Sequence, residues 1–223
     1  MTFKSQILQD LEQRNLVADS TDSAALDDLL FSKSVTFYCG FDPTAPALHL
    51  GNLAQIITMM RFQQHGHRPL VLIGGATGLI GDPKESGERS LNAQDVVDGW
   101  LERIKSSVTR YFDFTATNAC VVVNNYEWTK DYSAIAFLRD IGKHFSINRM
   151  LDRDAVSTRL ANQGISYTEF SYVLLQSLDY VELNKTYGCQ LQIGGSDQWG
   201  NITSGCDLVR RISGETVHAL TTP

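Results

Sequence analysis

Short apolar or β-branched stretches recur along the chain, and longer amphipathic stretches separate them. The short stretches predict β-strands at residues 35–41, 69–73, 119–124, 189–193 and 216–220. Apolar positions at helical spacing, followed by glycine or arginine stop signals, predict helices at residues 50–65, 92–111 and 199–212. Strands that alternate with helices are typical of a parallel sheet covered on both faces, so the pattern predicts a doubly wound α/β fold.

Residues 132–180 depart from this alternation, because their pattern predicts only helices. The predicted helices cover residues 132–141 and 147–160, and a third begins after Ser166. Ser166 and Glu169 have the spacing of a capping box, which marks a helix start. We interpret the segment as a helical insertion between sheet strands, which serves as a subunit contact, shapes a site or simply packs.

Composition narrows the class of protein. Of the 223 residues, 43% are hydrophobic and 20% are charged, which is typical of a globular domain and excludes disordered and membrane-spanning classes. The net charge of −6 argues against a surface that is basic throughout and made for nucleic acid. Cys39, Cys120, Cys189 and Cys206 lie far apart with no C-x-x-C pair, so we expect no disulfides, no cysteine metal site and a cytoplasmic location. Residues 1–15 are polar and mixed in charge, without the apolar stretch that a secretory signal needs, so we expect none there.

The first candidate segment follows the first predicted strand. Residues 38–46 read YCGFDPTAP, and residues 49–52 (HLGN) then open a helix. His49 and Thr44 can donate hydrogen bonds to phosphate oxygens near a helix N-terminus, and Gly51 allows close approach to the helix backbone. The alternative is a proline-rich turn with a histidine cap.

The second candidate segment, residues 74–83, reads GGATGLIGDP and follows the second strand. It fits neither G-x-G-x-x-G nor the P-loop pattern, which argues against a dinucleotide dehydrogenase and a P-loop NTPase. Asp82 follows the turn and could face a cationic group. The charged run at residues 84–89 is either a solvated loop or a loop whose Lys84 and Arg89 close over a bound phosphate.

The third candidate is a polar stripe on the helix that begins after Ser166. Tyr172, Gln176 and Asp179 lie at positions i, i+4 and i+7, so they share a helix face within about 60°. Such a stripe is either the exposed face or the wall of a buried polar pocket. The neighbouring aromatic residues Phe170 and Tyr180 make the pocket interpretation as reasonable as the exposed one. In such a pocket the buried aspartate would need a hydrogen-bond donor.

The fourth candidate segment, residues 192–201, reads QIGGSDQWGN and again joins a strand, a glycine turn and a helix start. Asp197 has two interpretations there. It is the N-cap of the helix, or it holds a ribose hydroxyl as acidic residues do in other nucleotide-binding sheets.

Together these segments resemble the bacterial-type tyrosyl-tRNA synthetases, a family of class I aminoacyl-tRNA synthetases. The most specific stretches are residues 38–44 (YCGFDPT), 166–172 (SYTEFSY) and 191–201 (LQIGGSDQWGN). The resemblance implies a class I Rossmann-like catalytic domain spanning residues 1–223, with a helical insertion at about 132–180 that builds a homodimer interface.

The resemblance also implies three sets of site residues. The residues that would bind tyrosine are Tyr38, Asp42, Asp82, Tyr172, Gln176 and Asp179. The residues that would bind ATP or the adenylate are Cys39, Gly40, Gly51, Gly195 and Asp197. The residues that would act in catalysis are Thr44, His49, Asn52, Lys84, Arg89 and Gln198.

Family roles for the amino-acid substrate follow from the same resemblance. Tyr38 and Asp179 would bind the phenol hydroxyl of the substrate. Asp82, Tyr172 and Gln176 would hold its ammonium group. A phenol suits Tyr38 and Asp179 better than an indole does, which weighs against the related tryptophanyl-tRNA synthetases.

The nucleotide would lie at the other end of the site. Cys39, Gly195 and Asp197 would contact the ribose, and Gln198 the reacting carboxylate. Thr44 and His49 would stabilise the transferring phosphates, with Lys84 and Arg89 on a loop that closes over pyrophosphate.

The implied reaction joins L-tyrosine to ATP and then transfers tyrosine to tRNA(Tyr). A carboxylate is already a nucleophile, so the catalysis needs positioning and electrostatic stabilisation rather than a general base. Mg²⁺ would be carried by the ATP phosphates with no protein metal site, and no membrane partner is expected.

Three features depart from the family pattern. Asn52 stands where many members have a second histidine, and the mobile loop is one residue shorter, which puts the role of Lys84 in question. No lysine follows Lys185, so the second, lysine-rich class I signature is absent from this sequence, as are the anticodon-binding and C-terminal RNA-binding regions. We therefore expect the catalytic portion of a longer protein.

Two alternatives from other classes stay open. A non-catalytic RNA-binding paralogue would have a damaged ATP site, whereas Thr44, His49, Asp197 and Gln198 are all present. A dehydrogenase would need the dinucleotide fingerprint, which is missing.

Overall fold

A five-stranded parallel sheet forms the centre of the molecule. The computed structural model describes residues 3–83, 93–151, 154–162 and 164–223. The strands are β1 (Thr36–Phe41), β2 (Arg68–Ile73), β3 (Val121–Asn124), β4 (Cys189–Gly195) and β5 (His218–Thr222). Their spatial order is β3-β2-β1-β4-β5, so the winding direction reverses between β1 and β4. The predicted doubly wound α/β fold is confirmed.

Helices cover both faces of this sheet. They are α1 (Gln6–Gln13), α2 (Ser23–Ser32), α3 (Leu50–Gln64), α4 (Thr77–Ile80), α5 (Gln94–Thr109), α6 (Tyr126–Thr129), α7 (Ala134–Ala136), α8 (Ile147–Leu151), α9 (Asp154–Asn162), α10 (Tyr167–Tyr187) and α11 (Trp199–Ser213). In the parts that the structure describes, no helix is both long and apolar enough to span a lipid bilayer.

An apolar core lies on each face of the sheet and holds the layers together. On one face, α1, α2, α3 and α5 pack against the sheet through residues such as Leu11, Met59 and Ile104. On the other face, α10 and α11 contribute residues such as Leu183 and Val209. Burying large aliphatic side chains stabilises each layer by about 1.5–3 kcal/mol per residue.

The five predicted strands all form, and only their ends differ. The last strand begins two residues later than predicted, at His218, because its ladder with β4 starts at the pair of Leu191 and His218. The three predicted sheet-covering helices correspond to α3, α5 and α11 with shifts at their ends, and residue 92 of the second prediction lies outside the described residues.

The N-terminal helices α1 and α2 were not predicted from the polar N-terminus. Ile7, Leu8 and Leu11 form a narrow buried stripe on α1. The carboxylate of Asp27 on α2 accepts hydrogen bonds from the backbone N–H groups at the start of α1, including that of Ser5 at 2.8 Å. Residues 18–21 then run antiparallel to the outer edge of β5 and satisfy its backbone groups.

The predicted helical segment at residues 132–180 contains helices and no strand in its described part. The helix predicted at 132–141 is a short α7 that continues as a π-helix over Phe137–Ile141. The helix predicted at 147–160 is α8 and α9, with residues 152–153 outside the described part.

The predicted capping box at the start of α10 is only half formed. The hydroxyl of Ser166 accepts the backbone N–H of Glu169 at 3.3 Å, as expected. The Glu169 carboxylate, however, pairs with Arg159 of α9 at 3.0 Å, and the two side chains are 2% and 3% exposed. A buried carboxylate gains more from a guanidinium than from a backbone N–H, so the tertiary ion pair replaces the local contact.

Candidate active site

One cavity of about 520 Å³ opens at the carboxyl ends of β1 and β4, where the sheet reverses its winding. This is the position at which open α/β sheets bind ligands. Every predicted site residue within the described part of the chain lines the cavity; these are Tyr38, Cys39, Gly40, Asp42, Thr44, His49, Gly51, Asn52, Asp82, Tyr172, Gln176, Asp179, Gly195, Asp197 and Gln198. Lys84 and Arg89 lie outside the described residues.

Asp179 forms part of the floor of the cavity and is 1% exposed. Its two carboxylate oxygens accept hydrogen bonds from Asn125 Nδ2 at 3.0 Å and from Trp128 Nε1 at 2.9 Å. Burial raises the pKa of Asp179 to about 8, and the two hydrogen bonds act against that rise. Each oxygen keeps a second lone pair, so the carboxyl group can still bind a ligand hydroxyl.

Tyr38 contributes a second buried polar group to the same cavity. Its ring packs edge-on against Tyr180, with 5.2 Å between the ring centroids. Its hydroxyl is buried and meets no hydrogen-bond partner in the described part of the protein. Burial, and then the nearby charge of Asp179, raise the pKa of Tyr38 well above its usual value, so the hydroxyl keeps its proton. A buried hydroxyl with no partner is costly unless a ligand satisfies it.

Asp42 links the third predicted segment to the floor through hydrogen bonds. Its carboxylate accepts the Tyr172 hydroxyl at 2.7 Å and the Thr77 hydroxyl at 2.6 Å. Asn125 Nδ2 reaches both Thr77 Oγ1, at 3.0 Å, and the carboxylate of Asp179. The polar stripe of α10 is therefore the wall of a buried pocket, and the exposed alternative is wrong.

Gly74 makes this network possible. A Cβ atom at that position would overlap the side chains of Asp42 and Thr77. The glycine-rich turn after β2 thus lets two polar side chains lie against the backbone, a role unlike that of a phosphate-binding loop.

Asp82, Asp197, Gln198 and Asn201 form a hydrogen-bonded group that we call the amide bridge. Gln198 Nε2 donates to Asp82 at 3.1 Å and to Asp197 at 3.0 Å. Asn201 Nδ2 donates to Asp82 at 3.1 Å and to Gln198 Oε1 at 3.1 Å. The bridge joins the loop after β2 to the start of α11 across the cavity.

Asp197 does not cap α11, contrary to one of its two predicted roles. Residues Ser196–Gln198 form a 3₁₀ turn, and α11 begins at Trp199 without a side-chain cap. The exposed carboxylate of Asp197 faces Gln198 instead and lines the cavity.

The start of α3 is exposed and lies at the other end of the cavity. His49 Nδ1 accepts the backbone N–H of Asn52 at 3.4 Å, and Asn52 Oδ1 accepts the backbone N–H of His49 at 3.1 Å. The histidine cap is thus real, and His49 also lines the cavity, so capping and ligand contact do not exclude each other. A Cβ atom at Gly51 would lie 3.1 Å from the His49 ring, so glycine keeps this end open.

Sequence reasoning missed several residues of the site. Asn125 and Trp128 follow β3 and carry no local motif, so only their contacts with Asp179 reveal them. Gln192 lies at the start of the fourth candidate segment, where no local pattern marks its side chain; its Oε1 is buried without a partner in the described part. Gln55 lines the outer end and donates to Thr222 Oγ1 at 2.7 Å.

Comparison with known protein families assigns the chain to one of them. Residues 32–223 match the family described as tRNA synthetases class I (W and Y). The chain belongs to this family of class I tRNA synthetases.

Within the family, the chain is similar to proteins named tyrosine–tRNA ligases. The chain is 58% identical to the tyrosine–tRNA ligase of Kineococcus radiotolerans, over 98% of this chain and 52% of the relative. It is 56% identical to that of Chromobacterium violaceum, over 99% of this chain and 53% of the relative. The chain thus spans about half the length of these curated relatives.

A solved structure supports the same fold. The crystal structure of a C-terminally truncated mitochondrial tyrosyl-tRNA synthetase from Aspergillus nidulans superposes with a TM-score of 0.86 at 30% identity. The match covers 97% of this chain and 68% of that one.

Proposed function

We propose that this chain carries the site at which a tyrosyl-tRNA synthetase activates L-tyrosine with ATP, before the tyrosine is transferred to tRNA(Tyr). The observation that carries the proposal is the polar floor of the cavity. There the buried carboxyl group of Asp179 lies beside the hydroxyl of Tyr38, which meets no hydrogen-bond partner among the described residues. A phenol hydroxyl can donate to one and accept from the other, which satisfies both groups.

The middle of the cavity suits the ammonium and carboxylate of an amino acid. Asp82, Tyr172 and Gln176 line it with an aspartate carboxylate, a phenol oxygen and an amide oxygen. The Gln176 Oε1 atom is buried and unpartnered in the described part, so an ammonium N–H would satisfy it. Gln198, in the amide bridge, would donate to the reacting carboxylate.

The outer end suits the nucleotide. Asp197, Cys39 and Gly195 line the side near the end of β4, where the ribose would lie. His49 lies at the start of α3, where backbone N–H groups and the helix dipole favour phosphate, and Thr44 lines the cavity from the segment between β1 and α3. Lys84 and Arg89 are proposed to assist there.

These groups would act on the α-phosphate without a protein nucleophile. The tyrosine carboxylate attacks, pyrophosphate leaves, and hydrogen-bond donors stabilise the charge that develops on the phosphate oxygens. Mg²⁺ would enter with the ATP phosphates and neutralise part of their charge. Across the described ranges, no cluster of three or more His, Cys, Asp or Glu side chains is placed to hold a metal ion.

We also propose that the protein works as a cytoplasmic homodimer. Large apolar side chains are exposed on the helical segment between β3 and β4, among them Ile135 at 74% and Ile147 at 57%. Exposed apolar patches of this kind mark interaction surfaces. Sedimentation analysis of Ile135→Lys with Ile147→Lys should show a monomer where the unchanged chain is a dimer, and equal sedimentation would contradict this surface.

Titration calorimetry with three amino acids tests the amino-acid assignment. L-Tyrosine should bind, while L-phenylalanine should bind at least about tenfold more weakly, because it leaves the buried Tyr38 hydroxyl without a partner and offers no hydroxyl to Asp179. L-Tryptophan should not compete. Preference for tryptophan, or equal binding of tyrosine and phenylalanine by a folded sample, would overturn the proposal.

A further inference from the structure

The amide bridge has a defined orientation even before a ligand arrives. Both N–H groups of Gln198 Nε2 donate to carboxylates, those of Asp82 and Asp197, while Gln198 Oε1 accepts a hydrogen bond from Asn201 Nδ2. In the reverse orientation an amide oxygen would face two carboxylates, and two amide NH₂ groups would face each other. The contacts around Gln198 therefore select one orientation of its amide.

Asn201 is itself held in place. It lies in the first turn of α11, half-buried behind Gln198, and its amide also donates to Asp82 Oδ1 at 3.1 Å. With its NH₂ group facing Asp82 on one side and Gln198 Oε1 on the other, the Asn201 amide is oriented as firmly as that of Gln198.

Substrate binding would change two of the three contacts of Gln198. Under the proposed function, an ammonium group takes the carboxylate of Asp82 and a ribose hydroxyl takes that of Asp197. Gln198 Nε2 is then released toward the substrate carboxylate. The contact with Asn201 remains to hold Oε1 away from that carboxylate.

We propose that Asn201 is a positioning residue for amino-acid activation, which fixes the Gln198 amide so that Nε2 faces the substrate carboxylate. This inference rests on the proposed function and extends it to a residue outside the cavity lining. If Gln198 turned over, its oxygen would repel the carboxylate that it otherwise binds.

Paired titrations with L-tyrosine and tyramine test this role. Tyramine keeps the phenol and the ammonium group but lacks the carboxylate. Asn201→Ala removes its hydrogen bonds to Gln198 and to Asp82. It should weaken tyrosine binding about 3- to 10-fold and tyramine binding less than twofold, because Asp82 keeps the charge that holds the ammonium group, whereas Gln198 loses the contact that orients it toward the carboxylate. Asn201→Asp, which keeps the size but sets a carboxylate against Gln198 Oε1, should weaken tyrosine binding more than Asn201→Ala does.

Two further variants separate positioning from folding. In a Gln198→Ala background, Asn201→Ala should lower tyrosine affinity little, because the amide that Asn201 positions is gone. Thr203→Ala is the matched control, since this half-buried hydroxyl of α11 bonds back to the helix carbonyls of Trp199 and Gly200. Equal losses for tyrosine and tyramine, or full additivity with Gln198→Ala, would overturn the proposal.

A second measurement needs no ligand. The side-chain amide resonances of Gln198, assigned by their loss in Gln198→Ala, should shift in Asn201→Asp, because the amide must turn to donate to the new carboxylate. Unchanged resonances would refute the orientation. If they shift but the unchanged chain binds no tyrosine, the proposed function fails, and with it the role assigned to Asn201.

Discussion

The deep end and the outer end of the cavity differ in how firmly their side chains are held before any ligand arrives. At the deep end, Asp179 is buried and receives two hydrogen bonds from Asn125 and Trp128. At the outer end, Thr44 and His49 are exposed to solvent. The buried hydrogen bonds that hold side chains in place therefore lie at the deep end of the cavity.

This difference matches the two tasks in the proposed reaction. Discrimination between similar amino acids requires polar groups that are costly to leave unpaired, and burial supplies that cost. Stabilising a phosphate during the reaction requires donors that meet charge as it develops, and these need not bind the ground state strongly. We therefore expect substitutions at the deep end to change affinity and those at the outer end to change rate.

The largest effect on tyrosine affinity is expected from Asp179→Ala. It removes the buried carboxyl group and leaves the donors of Asn125 and Trp128 without an acceptor, so calorimetry should show a loss of about 10²-fold or more. Asp207→Ala, on the exposed face of α11, is the matched control and should bind tyrosine normally. Normal binding by Asp179→Ala would show that the phenol does not lie at this end.

Asp179 should also make stability depend on pH. Burial raises its pKa to about 8 from 3.8, so between these values the folded chain keeps a proton that the unfolded chain has lost. The free energy of unfolding therefore falls as pH rises from about 4 to about 8, by at most ~1.4 kcal/mol per pH unit. Asp179→Asn cannot titrate, so its stability relative to the unchanged chain should increase across this range.

Urea unfolding of both proteins at several pH values between 5 and 8 measures this difference. Other titrating groups, such as His67, whose pKa burial lowers to about 4, are shared by the two proteins and cancel. Parallel curves would mean that Asp179 is ionised throughout.

A smaller effect is expected from Trp128→Phe. The change keeps an aromatic ring but removes the indole N–H that reaches Asp179 at 2.9 Å. Because this hydrogen bond helps to lower the Asp179 pKa, that pKa should rise further, and tyrosine affinity should fall about 3- to 10-fold in calorimetry. Trp199→Phe, at the start of α11, serves as the control. An unchanged affinity would show that the floor is not preorganised by its donors.

The sheet could be predicted from sequence because each strand is a short apolar run that local pattern reveals. The same holds for residues that follow strands directly, such as Asp42 after β1 and Asp197 after β4, since parallel strands bring their carboxyl ends to one edge. The sequence could therefore predict that these residues line one cavity.

The contacts that hold Asp179 in place could not be predicted from the sequence. Asn125 and Trp128 meet Asp179 across separations of 54 and 51 residues, and no local pattern encodes such pairs. The predicted capping box at Glu169 is only half formed for a related reason. The Glu169 carboxylate pairs with Arg159 of α9 instead of with the backbone N–H at the helix start. Predictions from local sequence patterns therefore miss the contacts that a buried polar group makes with another element of the fold.

The smallest effect on tyrosine affinity is expected from His49→Ala, and it tests the outer end. The exposed imidazole caps α3 and lines the cavity far from the buried floor, so tyrosine affinity in calorimetry should change less than twofold. The rate of adenylate formation, followed by ATP–pyrophosphate exchange, should fall by about 10²-fold, because the lost donor acts on the developing phosphate charge. His49→Asn keeps a cap and separates the two roles: it should restore the stability of α3 without restoring the rate. If tyrosine affinity fell as far as the rate, the two ends of the cavity would not be independent.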